Sequence, residues 1–91
     1  MGSEAWSDIF AKWPPGVPTR GVVITRQGEQ VPFVGFMRTD HFLLIQRAAP
    51  DTVGARQVIV PFGEIAGLKL TEVVQQKSLR EMGFEGTLPK T

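Results

Sequence analysis

Asp40, His41 and Phe42 set a carboxylate, an imidazole and an aromatic ring on three successive residues, and Phe62-Gly63 places a second aromatic ring beside a flexible step. These are the side chains with chemistry to offer. His41 is the only histidine and the chain has no cysteine, which excludes a histidine-rich or thiolate metal site, thiol catalysis and a disulfide scaffold. A serine–histidine–aspartate device has no supporting pattern. Glu64 and Glu72 stand too far apart to nominate as an acid/base pair. The glycines show neither phosphate-loop spacing nor a dinucleotide fingerprint. No catalytic residue, no metal and no cofactor is expected, and the protein is expected not to be an enzyme. Read plainly, Asp40-His41-Phe42 is a tight turn: Asp40 accepts from nearby backbone amides, His41 is exposed and Phe42 enters the core.

Any positioning framework must be small. The chain of 91 residues supports one domain with a limited core. Hydrophobic residues at 42% and charged residues at 21% are globular values, which argues against general disorder. Ten Lys and Arg face nine Asp and Glu, and both signs are spread evenly, so no basic arm or stripe marks a nucleic-acid binder. Folding or ring assembly can still gather scattered arginines onto one face. Arg20, Arg26, Arg38, Arg47 and Arg56 lie near strand ends, where phosphate contacts compete with simple solvation. No apolar run approaches the roughly 20 residues that span a bilayer. The opening Met1-Gly2-Ser3-Glu4-Ala5-Trp6 matches neither a signal peptide nor a myristoylation site, so a cytoplasmic protein is the expectation.

Residues 3–13 predict an amphipathic helix: Trp6, Ile9, Phe10 and Trp13 recur at helical spacing, Ser3 serves as N-cap, and Pro14-Pro15 ends it. So short a helix must lay its aromatic face on the domain or on a partner protein. From Gly21 the pattern turns to strands. Val22–Thr25 is β-branched, Gln27-Gly28-Glu29 is a turn, and Gln30–Arg38 is a second strand with apolar residues on both sides. In that second strand Val31, Phe33, Gly35 and Met37 share one face, with a bend or bulge at Pro32 and Gly35. Phe42–Arg47, Gln57–Phe62 and Ile65–Leu70 complete five strands, with a loop at Pro50–Gly54. Residues 73–91 are polar, with one helical turn or two and a loose end.

A helix followed by five strands resembles the Sm and Sm-like superfamily, including the bacterial Hfq proteins. Val22 to Val31 is similar to the family's opening hairpin, Gly35 to Ile45 to its first motif, and Val58 to Leu68 to its second. The resemblance implies a mainly β fold: a strongly bent five-stranded antiparallel barrel with an N-terminal α-helix. It makes residues 1–91 a single domain, with the helix at 3–13, the barrel at 17–72 and a C-terminal tail at 73–91. It also implies a homo-oligomeric ring in which strand edges pair between neighbouring subunits. In that family the turn at Asp40-His41-Phe42 lies by the nucleotide pocket, where an aromatic ring stacks on a base. Two departures stand out. Leu44 occupies the place of a base-holding Asn, and Phe62-Gly63 replaces the family's Arg-Gly or Lys-His. The expectation is a divergent ring that binds RNA or another ligand weakly, through Asp40, His41, Phe42, Phe62 and Gly63 and without the standard pocket. The alternative is a non-enzymatic protein-interaction scaffold, with the Trp6/Phe10/Trp13 helix or the tail as its contact.

Overall fold

A computed structural model of the chain describes residues 2–89, with side chains from Glu4 onward. The expected N-cap at Ser3 lies outside the described side chains. Helix α1 spans Gly2–Ala11. Strands follow at β1 (Gly21–Thr25), β2 (Gln30–Phe33), β3 (Gly35–Arg38), β4 (Phe42–Gln46), β5 (Gln57–Pro61) and β6 (Ile65–Lys69). A single 3-10 turn, Phe62–Glu64, joins β5 to β6, and a six-residue helix α2 covers Gln76–Glu81. The chain is mainly β: two three-stranded antiparallel sheets, ordered β2-β1-β6 and β3-β4-β5, with the N-terminal helix. No helix among the described residues is long and apolar enough to cross a membrane.

Two expectations need correction. The helix stops at Ala11 rather than at Trp13, and the strand expected over 30–38 is two strands, so six are present instead of five. Val34 is the break. Its amide donates to the Gln46 carbonyl at 2.8 Å, which carries the chain out of the first sheet and into the second. The break also changes which residues face inward. Val31 and Phe33 are buried in β2, but in β3 Phe36 turns toward the core and Met37 points out, at 71% exposure. The single face expected for Val31, Phe33, Gly35 and Met37 therefore does not exist.

The core gathers Phe10, Val23, Val31, Phe33, Leu43, Ile45, Val60, Phe62 and Ile65 from both sheets, the helix and the 3-10 turn. Phe10 is its aromatic centre. It stacks on Trp13 with centroids 5.4 Å apart, meets Phe36 edge-on at 5.0 Å and tilts toward Phe62 at 6.1 Å. Trp13 is fixed in turn by its indole N–H, which donates to the Val17 carbonyl at 3.1 Å. An isolated ten-residue helix is marginal in water, and this aromatic face gives it the burial that it needs. The face proposed for a partner protein is thus spent inside the domain.

Hydrogen-bond phase decides what the terminal strands present. In antiparallel pairs, residues alternate between those that exchange backbone bonds and those that turn away. Arg47 N–H donates to the Arg56 carbonyl and Phe62 N–H to the His41 carbonyl, which makes 45/58 and 43/60 the bonded pairs between β4 and β5. Gln57, Ile59 and Pro61 therefore aim their backbone groups at the free side of β5. The same reasoning from Thr25 N–H on the Glu29 carbonyl turns Val22 and Ile24 toward β6, and so leaves Leu68 facing the free side of β6. Both strand prolines, Pro32 and Pro61, fall at outward positions, where a missing amide takes nothing from the ladder.

The loop between β4 and β5 is organised by Asp51. Its Oδ1 accepts the Ala55 amide at 2.8 Å and the Val53 amide at 2.9 Å, while Gly54, at φ +88°, makes the reversal. The bond from Ala55 above all, helped by that from Val53 and by the Arg47 charge, holds this carboxyl below its ordinary value. A lowered pKa means that the loop's stabilisation is complete above the ordinary carboxylate value and is lost as pH falls through the lowered one. The amide resonances of Val53 and Ala55 should therefore titrate together, with a midpoint below that of a free aspartate. An ordinary midpoint would show that the carboxylate does not hold the loop.

Candidate functional site

The turn at Thr39–His41 is built by Thr39. Its Oγ1 accepts the Phe42 amide at 2.9 Å and the His41 amide at 3.2 Å, and its own N–H donates to the Phe42 carbonyl at 2.8 Å. The expectation that Asp40 takes these amides is corrected: the hydroxyl one residue earlier does so. Asp40 and His41 are left exposed, and their side chains line a shallow cleft of about 270 Å³ against α1, with Glu4, Ser7 and Asp8. Three carboxylates around one imidazole make this cleft acidic, and an acidic cleft repels a phosphate backbone.

Phe42 belongs to a different surface. The β4 register turns Leu43 and Ile45 inward, so Phe42, Leu44 and Gln46 face out, and Phe42 is 46% exposed rather than in the core. Cross-strand pairing sets Met37, Leu44 and Ile59 in one row, and Phe42 beside Pro61 in the next. With Arg38 and Thr39, the side chains of Met37, Phe42, Leu44 and Ile59 line an apolar groove of about 430 Å³ on the outer face of the second sheet. Ile59 is 65% exposed there. An exposed contiguous apolar face is the surface signature of an interaction site.

Phe62 belongs to neither surface. It is 1% exposed, packed in the core beneath α1, and has no free face for a base or any other ligand. Its link to the turn is through the backbone, in the 3.0 Å bond from its amide to the His41 carbonyl. The expectation that Phe62 contributes to ligand binding is corrected because the 3-10 turn directs the side chain inward. Gly63 is exposed, and a Cβ there would meet nothing within 4 Å, so no close approach demands glycine. Of the five nominated residues, Asp40 and His41 share a cleft and Phe42 is separate; Phe62 is structural and Gly63 lines none of the grooves described here. The row Met37–Leu44–Ile59 lies outside the residues expected from the sequence; its one signal there is the apolar content on both sides of residues 30–38. Comparison with known proteins gives no matching family model, no matching curated protein and no matching solved structure.

Proposed function

We propose that the chain is a divergent Sm-like module that assembles into a homo-oligomeric ring and works as a non-enzymatic protein-interaction scaffold. One observation carries this reading. Joining β2 and β3 across Val34 gives a single path of strands, β6-β1-β2/β3-β4-β5, with one unpaired edge on each end. Taken as one bent sheet, that path would let the free edge of β6 in one copy add to the free edge of β5 in the next. Ring closure would also supply stability that a small core provides sparingly. The scaffold reading is favoured over RNA binding by the acidic cleft at Asp40 and His41 and by the burial of Phe62.

Light scattering coupled to size exclusion is the test. The expected result is a discrete multiple of the single-chain mass that persists on dilution, and a single-chain mass would sink the ring. In parallel, labelled uridine-rich and adenine-rich RNAs should give no anisotropy change even at low salt. Binding that weakens steeply with added salt would move the reading from scaffold to RNA.

A further inference from the structure

Backbone phase fixes which way an added copy must face. On β5 the residues whose backbone groups point to the free side carry their side chains on the outer face, Ile59 among them. On β6 the free-side residue is Leu68, and its side chain points the other way, packed against the core of its own domain. Residues opposite one another in an antiparallel pair carry their side chains on the same face of the sheet. Antiparallel addition of a second copy's β6 to β5 therefore brings the partner's Leu68 out on the face that carries Ile59. The strand count says the same. The path β6-β1-β2/β3-β4-β5 has an odd number of strands, so an added copy enters with its strand directions reversed and its core side turned over. The body of that copy then lies on the outer face of the second sheet, which is where the groove of Met37, Phe42, Leu44 and Ile59 opens.

We propose that this apolar groove is the seat of the next copy of the chain, covered by the side of that copy to which Leu68 belongs. The inference rests on the ring reading, and adds to it the surface that each copy covers and the side that it presents. The reciprocal surface fits. Seen from the added copy, the outer face of β1 and β6 meets its neighbour in the same way. Val23 is buried there, so Val22 and Ile24 face out, and both are only half-buried. Ile24 lies across Gly67, where a Cβ would stand 3.3 Å from Ile24 Cδ1, and the row ends at Lys69 beside Val22. Apolar side chains therefore flank both free edges on the faces that the joint turns toward a neighbour. Covering such patches is the ordinary reason for their presence on a small domain.

The chain has no cysteine, so single introduced thiols report on its surface directly. Met37→Cys places one in the groove, at a side chain that is largely exposed in the single chain. Gln27→Cys, on the exposed turn between β1 and β2, sets the rate of a free thiol. In the assembled protein Met37→Cys should react with a thiol reagent at least about tenfold more slowly than Gln27→Cys, because reaction needs an accessible thiolate. Adding Ile59→Pro to each, to separate the copies, should bring the two rates together. Met37→Lys adds a second cation beside Arg38, where no lining residue is a carboxylate, and should lower the assembled mass while the β spectrum is kept. Equal rates in an intact assembly, a slow rate that persists in the separated chain, or a wild-type mass for Met37→Lys would overturn the seat and leave the ring standing. A wild-type protein that runs at the mass of one chain would overturn both.

Discussion

Phe62→Ala is expected to cost about 3–5 kcal/mol of folding stability, the range for truncating a fully buried phenylalanine. The ring lies beneath α1, tilted against Phe10, on the turn that passes the chain from β5 to β6. Removing it opens a cavity beneath α1 and beside Phe10. The aromatic stack of Phe10, Trp13 and Phe36 above it loses its floor. Domains of this size hold about 5–15 kcal/mol in all, so the variant sits near the edge of folding. Thermal unfolding followed by circular dichroism should show the midpoint falling by more than about 10 °C. Phe62→Leu, which keeps most of the volume, should recover much of the loss. A variant with an unchanged midpoint would mean that the ring is not structural, and would return it to the list of ligand-binding side chains.

Phe62 also shows where reading from sequence stopped. An aromatic residue before glycine, between two apolar strands, reads equally as a core residue or as a ring displayed on a turn. Only the 3-10 geometry separates the two. The strands themselves were legible, since β-branched runs and the turn residues Gly28 and Gly54 bracket them and both glycines take positive φ. The faces were not. Val34 interrupts an alternation that looks continuous, because apolar residues occupy both parities on either side of it, and a one-residue slip inverts every side chain beyond. That slip sends Met37 outward beside Leu44 and Ile59, and so makes the apolar outer face. The Thr39 cap was hidden by its neighbour, because Asp is the commoner turn acceptor and stands one position later. The pair of bonds between the Gln76 side-chain amide and the Leu88 backbone had no sequence signal at all: it joins residues 12 apart in a segment with weak periodicity.

Ile59→Pro is expected to dissolve the proposed ring while leaving the domain folded. The Ile59 amide points away from β4, so replacing it with proline removes no bond from the ladder within the chain. The side chain is largely exposed, so little packing goes with it. Proline is tolerated at such edge positions, and Pro61 already occupies the next outward one. The consequence falls on the neighbouring copy. With Pro61 unable to donate, Gln57 and Ile59 supply the outward amides of β5, and losing one leaves a buried carbonyl across every subunit contact. An unsatisfied buried acceptor costs about 1–3 kcal/mol, and 1.4 kcal/mol is a factor of ten in each contact. The mass by light scattering should fall to that of one chain, with the β spectrum retained. Ile59→Thr, which alters the same side chain but keeps the amide, should stay assembled. If Ile59→Pro runs at the wild-type mass, the free edge of β5 is not where copies meet. The assembly would then have to use the apolar row beside it, Met37–Leu44–Ile59, and charge placed at Met37 would be the change that breaks it.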